Sequence, residues 1–394
     1  MPMSSVQLSV PEPGAAADRP APLGGSLVTP FTLGLAALVA AAVVVMALRF
    51  YYGLGAVTNI NDGYPWGIWV VYDIVIGSAF ACGGFAMALL VYVFNRGEYH
   101  ALVRPALLAS LFGYTLAGAS VLLDLGRYWN FWHIFWPGFA HVDSVMFEVA
   151  LCISIYVLVM WIEFSPAFLE KLGLHDSRRK LSRVMYLFIA LGVLLPSMHQ
   201  SSLGSMVVIF GQRIAPLWRA GWALPLLFLI TAVLLGFAVV VFEATLVSLG
   251  FRRPFETALL ARLARVIWGL LLAYVLVRLA DLTLRGAWSD AFEANGAALC
   301  FWAETACFCL PLWLLYGPTA RANPGRLFGS AMLLMLGGFL LRVNVYLVGY
   351  APGNGYSYFP SLPEMIVTAG MIALEILGYI VFVRRLPVLP ALHR

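Results

Sequence analysis

The segment 122–130, LLDLGRYWN, sets an aspartate and an arginine three residues apart, directly after an apolar run that starts near Pro105. On a helix Asp124 and Arg127 share a face and can pair. Charges at the end of a membrane span are costly unless they face protein or water, so this pair marks a candidate site. A second candidate is His199 in the stretch 196–205, PSMHQSSLGS. Pro196 weakens the helix just before the histidine, and Gln200, Ser201 and Ser202 follow it. An imidazole titrating near neutral pH suits proton-coupled chemistry, and His199 is expected at the depth of Asp124.

Other polar groups inside apolar runs are few enough to name. Asp73, Glu148, Arg278 and Asp281 fall toward the outer half, and Glu163, Glu243, Glu304, Arg342, Asn344 and Glu375 lie deeper or toward the cytoplasm. A charge at the centre of a span costs about 2.5–3.5 kcal/mol on insertion scales, so most of these must pair or face water. A quinone headgroup would want such a setting: polar donors at the mouth of an apolar pocket, a proton donor, and an electron source. No cofactor motif supplies the electrons, so a partner must.

Histidine and cysteine usage bear on cofactors. Of His100, His133, His141, His175, His199 and His393, only His199 lies within an expected span. A transmembrane b-type haem normally takes two axial ligands on facing helices, commonly histidines, so the expectation is no haem in this chain. The five cysteines, Cys82, Cys152, Cys300, Cys307 and Cys309, form no CxxC pair and suit a buried apolar role better than an iron–sulfur cluster. No metal site is expected.

The elements that must position these groups are membrane spans. The 394 residues are 62% hydrophobic and 11% charged, with a mean hydropathy of +0.89. Soluble domains are about 25% charged, so the chain reads as an all-α integral membrane protein. Ten spans are expected, at 30–51, 66–94, 104–125, 143–164, 183–205, 222–249, 263–284, 297–316, 327–350 and 364–383. An even number places both termini on one side. With the termini cytoplasmic, inner segments collect the basic groups Lys171–Arg183 and Arg252–Arg265. Outer segments hold only Arg49, Arg127, Arg213, Arg219 and Arg285. The pI near 9.0 therefore reflects topology, not a nucleic-acid partner. Residues 1–29 read as a disordered cytoplasmic tail without a secretory signal, 30–386 as the membrane domain, and 387–394 as a second tail.

Two further patterns stand out. Outer loops 53–67, 128–141 and 349–363 are long and aromatic, beyond what an interfacial belt requires, and suggest a docking platform for an external partner. Asp124-x-x-Arg127 ends span three while Arg278, Asp281 and Arg285 end span seven, and Glu148 and Glu304 both precede cysteines. Spans two to five (66–205) and six to nine (222–350) thus read as two parallel four-helix repeats, flanked by spans one and ten.

The segments NDGYPWGIW (61–69), FACGG (80–84), VFNRGEYH (93–100), RPALLASLFGY (104–114), DLGRYWN (124–130), PSMHQSSLGS (196–205) and GNGYSYFP (353–360) resemble the NrfD/polysulfide-reductase membrane-subunit family. The resemblance is strongest to the HybB-type subunits of periplasm-facing nickel–iron hydrogenases (hydrogenase-2 type), and it runs from about residue 25 to the C-terminus. It implies a ten-helix subunit of the bacterial inner membrane that passes electrons between a periplasmic ferredoxin-like iron–sulfur subunit, fed by hydrogenase large and small subunits, and menaquinone or ubiquinone. On that reading His199, Asp124 and Arg127 act on the headgroup, with Gln200, Trp66, Tyr128, Asp73 and Arg278 binding it. Proton translocation through Glu148, Asp281, Glu304, Glu375 and Glu243 is a further implication. A secondary transporter without redox chemistry is the alternative, and a purely structural anchor the third.

Overall fold

The computed structural model of the chain describes residues 20–64 and 66–390. Among the described residues ten helices are long and apolar enough to cross a membrane: α1 (Pro30–Tyr52), α2 (Trp69–Val93), α3 (Gly97–Asp124), α4 (Val145–Lys171), α5 (Met185–Val208), α6 (Leu224–Gly250), α7 (Thr257–Arg285), α8 (Gly296–Leu314), α9 (Pro324–Val348) and α10 (Leu362–Arg385). The protein is a multi-pass, all-helical membrane protein, as its composition requires.

Helices α2, α3, α4 and α5 touch in sequence, with α5 returning to α2. Helices α6 to α9 do the same, α9 returning to α6. The two groups meet where α6 packs on α2 and α5. Helix α1 pairs with α10, which in turn lies on α3. Close helix approach in a membrane depends on small residues. A Cβ on Gly236 of α6 would collide with the carbonyl of Cys82 on α2, and one on Gly370 of α10 with Ala42 of α1.

Helix α2 is irregular in a way its sequence did not announce. Residues Trp69–Ile76 and Leu89–Val93 are π-helical, and Ala81 and Cys82 relax to ψ near zero between them. Helix α9 also finishes in π geometry, at Asn344–Val348. Such turns often sit at functional sites. Here they carry Asp73, Cys82 and Asn344.

The chain ends differ from the expected free tails. Pro20–Ala21 pairs antiparallel with Leu389–Pro390, and the amides of Leu23 and Gly24 bond the carbonyls of Val383 and Arg384. Val388 and Leu389 are buried. Backbone pairing thus ties 20–24 to the end of α10 and to 389–390, and brings the first and last described residues to one end of the helix array. The rest of the two expected tails lies outside the described residues.

Candidate functional site

Helix α3 stops at Asp124: Leu125 is extended and Arg127 begins a 3-10 segment, Tyr128–Phe135. The pairing of Asp124 with Arg127 needs a helix through both, so it does not form, and Arg127 is exposed. The cation that serves this end of α3 is Arg49. Its Nε donates to the Leu123 carbonyl at 2.7 Å, and its Nη2 donates to the Leu125 carbonyl. These are carbonyls a helix end leaves open, so Arg49 acts as a C-terminal cap supplied from another helix. Its guanidinium lies 4.8 Å from the Phe50 ring and 5.2 Å from the Tyr128 ring. Arg49 is 1% exposed. It was missed because it reads as an end-of-span charge, although it is the one charge of its span.

Asp73 and Asp124 are near enough for their charges to interact. Each has a buried carboxyl oxygen, Oδ2 of Asp73 and Oδ1 of Asp124, with no hydrogen-bond partner among the described residues. Buried polar atoms are normally satisfied, so a pair of orphaned carboxyl oxygens is a cue for a ligand or proton site. Tyr128 stands against the Arg49 guanidinium, edge-on to Phe50 at 4.8 Å.

Above the acids the outer loops are stitched together through Glu364, which the sequence reading also missed. Its carboxylate accepts from the Tyr358 hydroxyl at 2.7 Å, the Asn59 amide at 3.0 Å and the Ser361 amide at 2.8 Å. Ser361 and Glu364 form a capping box at the start of α10, and S-x-x-E is a sequence signature that could have revealed it. Burial and the bond to Glu364 push the Tyr358 phenol above its ordinary pKa, so it stays a donor. Trp66 belongs to this lid: its indole donates to the Tyr346 carbonyl at 3.0 Å, within rings of Phe210, Tyr346 and Tyr350.

His199 is not with Asp124. Its Nε2 lies 2.8 Å from the Tyr114 hydroxyl and its Nδ1 2.9 Å from the Leu195 carbonyl. Tyr114 stands ten residues before Asp124 on α3, roughly 15 Å of helix. The carbonyl can only accept, so Nδ1 carries the proton and Nε2 accepts from Tyr114. Gln200 donates to Ser78 at 2.9 Å, and the Cys82 thiol is 3.3 Å from the Tyr114 hydroxyl. This is a buried network inside the first helix group. His199 lies nine residues before the end of α5 at Val208, well inside the helix, where its place near the expected span end at 205 had suggested the level of Asp124.

Arg278 also lies elsewhere, within the second group. Arg285 grips Asp281 with two bonds of 2.9 and 2.6 Å. Glu304 accepts from the Trp218 indole at 2.8 Å and from Asn344 at 2.9 Å. Glu148 accepts from Ser202 at 2.9 Å, Glu243 accepts from the Tyr379 hydroxyl, and the Glu375 carboxyl lies against Gly113.

The family model for polysulphide reductase, NrfD, matches residues 56–352. The chain belongs to the NrfD family. It is 44% identical over 377 residues to the "Probable Ni/Fe-hydrogenase 2 b-type cytochrome subunit" of Escherichia coli K12, covering 95% of this chain and 96% of that one. It is 27% identical over 368 residues to the "Menaquinone reductase, integral membrane subunit" of Nitratidesulfovibrio vulgaris, covering 86% of each. These NrfD relatives are membrane subunits of redox complexes, which gives this chain its broad role. The name of the E. coli relative overturns the expectation that this chain carries no haem. As placed, however, His199 has both ring nitrogens engaged and does not fit an axial ligand.

Proposed function

We propose that this NrfD protein is the quinone-reactive membrane subunit of a hydrogen:quinone oxidoreductase, with its headgroup site at Asp73 and Asp124. The observation that carries the reading is the pair of buried, unpartnered carboxyl oxygens at one end of α2 and α3. Reducing a quinone to the quinol consumes two electrons and two protons. The electrons enter from a partner. A protonated carboxyl donates a hydrogen bond to a quinone carbonyl, then its proton as negative charge develops there. Arg49 fixes the end of α3 and so the position of Asp124. The Glu364 lid and the rings around Trp66 keep the site apolar and limit water.

The electron donor would be a ferredoxin-like iron–sulfur subunit served by nickel–iron hydrogenase subunits, in line with the relative from E. coli. Its docking surface is the 128–139 segment, where Trp129, Trp132, Trp136 and Phe139 are exposed. The charge pattern of the loops supports a periplasmic position for this face, with both termini in the cytoplasm of a bacterial inner membrane. Quinone class, menaquinone or ubiquinone, follows the partner relatives only by analogy, with menaquinone favoured by the relative named for it. For proton movement, Glu148, Glu243, Glu304 and Asp281 supply acids along both helix groups, each with a hydrogen-bonded neighbour, and Glu375 adds one on α10.

The test is quinone reduction by the assembled complex carrying Asp124→Asn or Asp73→Asn. The proposal expects loss of turnover with the partner subunits still bound. Unchanged turnover in both variants would remove these acids from the site.

A further inference from the structure

Arg278 is 5% exposed, and among the described residues none of its Nε, Nη1 or Nη2 atoms has a hydrogen-bond partner. Its nearest carboxylates are Asp281 at 3.9 Å and Glu304 at 3.8 Å, which is ion-pair range but too long for hydrogen bonds. Asp281 already spends both oxygens on Arg285, whereas Glu304 takes both its bonds, from Trp218 and Asn344, on Oε2 and leaves Oε1 toward Arg278. One turn earlier on the same face of α7, the buried Tyr274 hydroxyl is also unpartnered. A guanidinium offers five N–H donors and a phenol one more, so donors here outnumber the one uncommitted acceptor near them, Glu304 Oε1.

These two side chains line one cleft between α7 and α8. Its other walls include the rings of Phe301, Trp302 and Phe308, and Glu304 also lines it. The Arg278 guanidinium lies 5.5 Å from the Phe301 ring centre. At the rim Leu279 and Trp302 are 39% and 40% exposed, on the outer flank of the second helix group. Arg278 is seven residues before the end of α7, roughly 10 Å of helix below it. A ligand reaching the cleft therefore arrives through the lipid, within one leaflet.

Charge selects the kind of ligand. Arg278 and Arg285 are balanced by Asp281 and Glu304, so no net positive charge remains to draw a phosphate. Hydrogen-bond donors are in surplus, and the walls are flat rings. We infer that this cleft binds an uncharged, lipid-soluble ring compound bearing carbonyl oxygens, the chemistry of a quinone, as a second site separate from Asp73 and Asp124. A carbonyl oxygen would accept from Arg278 and a second from Tyr274, with the ring against Phe301 and Trp302. The inference shares quinone chemistry with the function proposed above, and its test separates the two sites.

The test is photolabelling of the full complex in native membranes with an azido-naphthoquinone, followed by peptide mapping. The expected result is adduct on 274–282 or 301–309, displaced by added menaquinone and not by phosphatidylglycerol. Thr305→Phe, which fills the cleft, lowers this adduct about tenfold or more, and Asp124→Asn leaves it intact. Tyr274→Phe removes only an unpartnered hydroxyl, so it keeps the fold and weakens labelling there. Label confined to the outer end of α3, displacement by phosphatidylglycerol instead of menaquinone, or labelling indifferent to both cleft variants would each overturn the inference. In the first case the outer-end site stands while this one falls.

Discussion

The Nε of Arg49 on the first span donates to the carbonyl of Leu123 on the third over 2.7 Å, closing the helix that ends in Asp124. A buried cation thus sets the position of an acid it does not bond directly. Hydrogen bonds to charged groups contribute about 1.5–3 kcal/mol. Arg49→Met should therefore lower the detergent melting temperature by several degrees and weaken quinone reduction together. A variant that melts as the parent does while losing turnover would mean that Arg49 touches the substrate.

His199 serves as a contrast. Its place among Tyr114, Leu195 and Gln200 makes it part of a buried network, not of the outer-end acids. Tyr114→Phe should leave the quinone KM within about threefold of the parent, a change under 1 kcal/mol, and reduce kcat if protons pass this way. A KM raised tenfold with kcat unchanged would put the headgroup beside Tyr114 and move the site inward.

The ion pair of Asp281 with Arg285 is a structural wager of another kind. Asp281 is fully buried and bidentate. Breaking a buried pair on one side costs about 3–5 kcal/mol. Asp281→Asn should give little assembled protein, read as membrane yield on a blot. Full yield with normal melting would show that Arg285 finds another acceptor.

Tyr358 gives a pH expectation. Burial and its bond to Glu364 hold the folded-state pKa above the ordinary phenol value. The unfolded chain releases this proton near pH 10, so the stabilisation is complete below that pH and fades above it. Thermal melts from pH 8 to 11 should fall more steeply for the parent than for Tyr358→Phe, whose melting temperature at pH 8 starts lower. Parallel curves would deny Tyr358 this role.

The sequence disclosed the spans plainly, because a run of about 20 apolar residues has few other uses. It also identified Asp73 and Asp124 as buried acids. What it could not disclose was where helices stop and which helices meet. Asp124 and Arg127 look like partners until α3 ends between them. His199 and Asp124 look level until His199 is found against Tyr114, ten residues before Asp124 on α3. Arg278 was grouped with the outer acids although it lies on α7, in the other helix group. Arg49 and Glu364 act across more than 70 and about 300 residues of chain respectively, and local pattern carries no record of such contacts. Only the capping box at Ser361 marked Glu364 in advance.

The most direct measurement is steady-state, hydrogen-dependent reduction of a water-soluble menaquinone analogue by the purified complex carrying Asp124→Asn. With Asp124 as the headgroup's proton donor, kcat falls at least about tenfold, the scale of losing one positioned proton donor, while partner subunits co-purify in parental ratio. Parental kcat and KM in a fully assembled variant would contradict it.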